Sequence, residues 1–179
     1  MNGLFTVAGL PAHPLLVDAV AVLLPLAAVC SVGLAVHRGV RRRFGWPVLV
    51  LTAVGVLAVP LAAATGEQLR NHLPPPDSLL ARHEALGELL LPYALGFGVA
   101  VLLLVVAGKL ADRERAATNR AEHPDPAPDT DRAGAVSTLW RRTSVLASVL
   151  VIGMSVVTTV DVVRIGTTGA QAVWHGVAH

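Results

Sequence analysis

The sequence predicts an all-α protein, a four-helix transmembrane bundle with its N-terminus and C-terminus both extracytoplasmic. Three observations carry that prediction. Only 15% of the 179 residues are charged while 54% are hydrophobic, and the mean hydropathy is +0.62. A water-soluble domain of this length carries about 25% charged residues, so a soluble enzyme domain is set aside at once. Four apolar stretches reach the ~20 residues that a helix needs to cross about 30 Å of hydrocarbon. The basic residues, finally, fall on alternate sides of those stretches.

The spans lie at about 15–36, 46–66, 86–108 and 143–162, within a single membrane domain covering 1–179. The first carries one charge, Asp18, near its start, and the second carries none before its external end. Pro25, Pro60 and Pro92 lie in or beside the spans, where membrane helices tolerate them. A secretory signal is the competing reading of the first span. Met1 to Pro11 has no Lys or Arg, and the apolar run outlasts a usual signal core, so it reads as a retained helix.

Arginine placement orients the bundle. Arg38, Arg41, Arg42 and Arg43 follow the first span. Lys109, Arg113, Arg115, Arg120, Arg132, Arg141 and Arg142 separate the third from the fourth. The other side holds only Arg70, Arg82 and Arg164 of the fourteen basic residues. By the positive-inside bias the richer side is cytoplasmic, which suits a multi-pass protein of the cell membrane. The same placement explains a sequence pI of about 9.3 without any basic ligand. Arg41-Arg42-Arg43 directly follows a span and lacks stacking aromatics, so it reads as an anchor beside anionic lipid, with no nucleic-acid partner.

The stretch 109–142 reads as a cytoplasmic linker. Its first part, to Ala121, alternates charge and alanine and can continue the third helix. Three prolines then break it at Pro124, Pro126 and Pro128, giving an expected disordered part at about 122–135. Pro74-Pro75-Pro76 breaks the external loop in the same way. No internal repeat emerges beyond a crude pairing of two helical hairpins.

Polar residues sort by depth. His13, His72, His83, His175 and His179 fall on the external side, with Asp18, Glu67, Glu84, Glu88 and Asp161. Glu84 and Glu88 share a helix face, and Asp161 and Arg164, three apart, are placed to form a structural ion pair. An ionisable group at membrane depth points to function unless it is hydrated or paired at the interface. For the loop and terminal groups Glu67, Asp77, His72 and His179 the interfacial reading is preferred. His13 before Pro14 suits a helix start, and equally a haem or metal ligand. The candidate cofactor-binding residues are His13, His83 and His175, and the candidate metal ligands are His13, Asp18 and His83. The cofactors they suit are haem or a transition metal. The same cluster could instead relay protons or hold a quinone head group. Cys30 is the only cysteine and lies deep in an apolar helix, no serine stands at a nucleophile elbow, and the glycines follow helix-packing spacing. An enzyme is therefore not expected.

The run Gly9-Leu10-Pro11-Ala12-His13-Pro14-Leu15-Leu16-Val17-Asp18 resembles the opening of the bacterial membrane proteins grouped as domain of unknown function 2231, of the actinobacterial type. Thr65-Gly66-Glu67, the run His83 to Glu88, and Arg164-Ile165-Gly166 with Gly169 to Trp174 extend the likeness over nearly the whole chain. The family has no established activity. Relatives joined to Rieske-type or cytochrome-type domains imply a redox neighbourhood. The family often has a second histidine where this chain has Asp18, which can serve a metal but is a poor haem ligand. Haem would then need His83 or His175. Two functions therefore stand: a redox-associated membrane subunit binding haem, metal or quinone at the extracytoplasmic helix ends, or a non-enzymatic structural or assembly partner. A small transporter is the weakest, since no carboxylate continues a path across the cytoplasmic half. Partners are the lipid bilayer and either a membrane redox partner or a second copy in a homo-oligomer.

Overall fold

A computed structural model describes residues 5–7, 9–72, 78–121 and 130–174. The chain opens on a two-stranded antiparallel ribbon, β1 (Thr6–Val7) and β2 (Leu10–Pro11), with Thr6 opposite Pro11 and Val7 opposite Leu10. Gly9 turns between them at φ +82°, a backbone conformation that costs glycine little. The Ala12 N–H then donates to the Phe5 carbonyl at 2.9 Å. The ribbon thus satisfies one of the orphan donors at the start of the first helix.

Four helices follow: α1 (Ala12–Val36), α2 (Arg38–Arg70), α3 (Ser78–Ala121) and α4 (Thr130–Trp174). Each contains a segment long and apolar enough to cross a membrane. All outlast their apolar stretches. The arginine run after the first span is the opening of α2 and not a loop, because His37 alone, in an extended conformation, separates α1 from α2. Likewise α3 continues to Ala121 and α4 begins at Thr130, so most of the stretch read as a linker is helix. The runs 122–129 and Pro74-Pro75-Pro76, expected as breaks from their prolines, lie outside the described residues. Pro25, Pro47, Pro60 and Pro92 all sit inside helices.

The helices form a closed ring in which α1 packs on α2 and α4, and α3 packs on α4 and α2, while α1 and α3 scarcely touch. Two apolar clusters fill it. Leu34, Phe97, Val101, Leu104 and Val151 lie toward the basic end, and Val20, Leu24, Ala58, Ala94, Val162 and Ile165 toward the histidine end. Alanines at the contacts let the backbones approach closely. The outward faces are equally apolar, with Val22, Val29, Leu57, Leu61, Leu146 and Val149 exposed. A helix apolar all round is at home only in a core or a bilayer.

The two hairpins, α1–α2 and α3–α4, repeat one another in detail, closer than the crude pairing of hairpins expected from the sequence. His13 of α1 meets Ala62 of α2, as His83 of α3 meets Ile165 of α4. Thr65 and Thr168 each donate back to two carbonyls in their own helix, those of Leu61 and Ala62 and those of Arg164 and Ile165. Leu23 faces Gly55, as Tyr93 faces Thr158. Buried positions correspond as well: Val20, Leu24, Ala27 and Leu34 in α1 match Leu90, Ala94, Phe97 and Leu104 in α3. Since α1 and α3 run in the same direction, this is a parallel repeat of the kind related by an axis along the membrane normal.

Candidate functional site

The repeat brings one histidine from each half to the same end of the bundle. His13 stands at the start of α1, where it leaves its own helix end uncapped and donates from Nδ1 to the Ala62 carbonyl of α2 at 2.9 Å. Its expected use as a cap is not the one it has. His83, one turn into α3, donates from Nδ1 to the Ile165 carbonyl of α4 at 3.1 Å. A carbonyl only accepts, so both rings carry their proton on Nδ1 when neutral and leave Nε2 with a free lone pair. The two ring centroids are 6.4 Å apart and the planes stand 85° to each other.

Local sequence makes room for each ring. A Cβ added at Gly66 would lie 2.8 Å from His13 Cε1, and one at Gly169 would lie 3.0 Å from His83 Cε1. The imidazoles occupy the space that side chains at these positions would take. Thr65-Gly66-Glu67-Gln68 and Thr168-Gly169-Ala170-Gln171 are therefore two copies of one histidine cradle. Sequence reasoning passed over Gly169 and the two carbonyls, although the repeated Thr-Gly-x-Gln was there to be read.

The other expected residues scatter. Asp18 is exposed on α1, and among the described residues no group of three His, Cys, Asp or Glu side chains is placed to hold a metal ion. The trio His13, Asp18 and His83 is thus not assembled, and only its two histidines meet. His175 lies outside the described residues. Asp161 and Arg164 make no ion pair within 4.0 Å: Arg164 is exposed, whereas Asp161 is 5% exposed and its Oδ2 has no hydrogen-bond partner. Their three-residue spacing suits contact, but Asp161 faces the bundle interior and Arg164 faces out. Glu84 pairs instead with Arg70, at 2.7 Å across α2 and α3. His72 bonds within its own helix end, to the Gln68 carbonyl.

Chemically, two anchored imidazoles with free Nε2 atoms offer a linear or bent pair of nitrogen donors. A backbone hydrogen bond on the far ring nitrogen is the arrangement that orients metal-ligating histidines and raises their basicity. Four helices, each with a segment long and apolar enough to cross a membrane, carry this pair at one end of a multi-span membrane protein. The chain belongs to the family described as Predicted membrane protein (DUF2231), whose profile matches residues 9–126. The match takes in both histidines and stops before α4. Neither the curated proteins nor the solved structures contain a match to this chain.

Proposed function

We propose that this is a redox-associated membrane subunit in which His13 and His83 are the residues that would hold a haem at the histidine end of the bundle. The observation that carries the reading is the pairing itself: two rings from two repeats, 6.4 Å apart, each with Nδ1 engaged and Nε2 free. The donor set favours haem over a bare ion. A bare ion needs a third or fourth protein ligand, and none joins the pair among the described residues, whereas a porphyrin brings its own four nitrogens.

Bound haem supplies one-electron transfer. The chain's part is to fix the ring tautomers through Ala62 and Ile165 and to hold α1 and α3 at matching depth. By the charge bias the histidine end is extracytoplasmic and the membrane is the bacterial plasma membrane. The competing reading makes the same contact an edge-on ring pair that only locks the halves together, since 6.4 Å also suits aromatic packing.

Absorption spectroscopy separates them. Protein purified in detergent from a haem-competent host should show a Soret band that shifts on reduction with dithionite. Both His13→Ala and His83→Ala should lose it. A colourless wild-type protein would leave the packing role in its place.

A further inference from the structure

At the opposite, basic end the arginines differ in how they are neutralised. On the α2–α3 seam Arg42 makes a two-pronged bond to Asp112, Nε to Oδ2 and a terminal nitrogen to Oδ1, both at 2.7 Å. Arg115 adds a contact to the same carboxylate at 3.6 Å. Lys109 lies over the Trp46 ring at 4.4 Å.

Where α2 opens beside α4 the arrangement differs. There Arg38, Arg141 and Arg142 line one open cavity of about 490 Å³ together with Val145 and Leu146. None of the three guanidiniums has a carboxylate partner among the described residues. α3 runs past the apolar zone and carries Asp112 to α2, while α1 stops at Val36, just before Arg38 opens α2. Three like charges in one pocket repel one another, and a bidentate-capable oxyanion is the partner that guanidinium geometry suits best.

The cavity also has an apolar wall. Val145 and Leu146 are 58% and 65% exposed, and the apolar outer face of α4 continues from them through Val149 and Leu150. A free phosphate has no use for that wall. A phospholipid does, because its phosphodiester sits at the level of the guanidiniums while its acyl chains run along the helix. Basic pockets of this kind, between helices at one membrane face, suit anionic head groups.

We infer that the pocket formed by Arg38, Arg141 and Arg142 is a binding site for an anionic phospholipid, held by its phosphodiester with its chains along Val145 and Leu146. The site is separate from the histidine end and stands or falls independently of any cofactor there.

Native mass spectrometry of the full chain from detergent, with dioleoyl phosphatidylglycerol or dioleoyl phosphatidylcholine added, tests it. The wild-type protein should retain the glycerol lipid selectively. Arg141→Gln with Arg142→Gln should lower that retention by an order of magnitude, and Arg38→Gln alone by roughly fivefold, the weight of one basic residue at an anionic surface. Arg42→Gln, on the α2–α3 seam, should leave retention unchanged. All three pocket arginines are exposed, so the variants should melt as the wild type does. Equal retention of both lipids would overturn the assignment. So would retention indifferent to Arg38, or displacement of the lipid by millimolar inorganic phosphate.

Discussion

His13 and His83 come from different halves of the chain yet stand edge to face, 6.4 Å between ring centroids, each tied by Nδ1 to the backbone of the helix that follows it. If they serve one site, their effects are coupled. Removing either ring should then cost most of what removing both costs, because groups sharing one partner are not additive. Soret absorbance and thermal melting of His13→Ala, His83→Ala and the double variant supply the cycle. Fully additive losses would mean two independent contacts.

The cradles are equally open to test. Gly66→Ala drives a methyl to 2.8 Å from the His13 ring and should break its bond to Ala62. Overpacking costs about 1–3 kcal/mol, partly offset by the better helix propensity of alanine, about 1 kcal/mol. Gly166→Ala meets nothing within 4 Å and should melt no lower than the wild type. A Gly66→Ala protein as stable as Gly166→Ala would show that the ring is not held where it stands.

Asp161 is buried with one oxygen unpartnered, and the equivalent position in the first hairpin is Ala58. A buried, unsatisfied polar group costs about 1–3 kcal/mol. Asp161→Ala should therefore raise the melting temperature in detergent. A fall instead would mean that the carboxyl has a partner in the working protein, such as a bound proton donor or ligand.

The Arg42–Asp112 pair is partly exposed, and its contribution should depend on salt. Asp112→Asn should melt below the wild type at low ionic strength and match it near 1 M salt, where the Debye length shrinks to about 3 Å. A difference that persists at high salt would point to packing rather than charge.

Orientation can be read by labelling. In a Cys30→Ser background, cysteine at Gln68 should react with a membrane-impermeant maleimide on intact cells, and cysteine at Gly39 only after permeabilisation. The reverse pattern would invert the bundle.

Much of the fold was legible without coordinates because its main signals are local. Lipid demands a long apolar run per span, so four runs announce four helices, and the residues around His13 and His83 carry the family resemblance. The repeat was not legible as a period. The stretch between α3 and α4 is far longer than the single residue joining α1 to α2, so the two halves have no common spacing, although Thr65-Gly66 and Thr168-Gly169 sit in matching cradles.

The sequence by itself determined the membrane class, the number of helices, the family, and the set of histidines and acids crowded toward one end. Tertiary structure alone decided which of them meet. A helix that is apolar all round gives no clue to the face it turns inward, and that rotation sets every long-range contact. It brought His13 to His83, left Asp18 apart, and buried Asp161 while leaving Arg164, one turn on, exposed. At the far end it set Arg38, Arg141 and Arg142 around one cavity, with no carboxylate paired to them among the described residues.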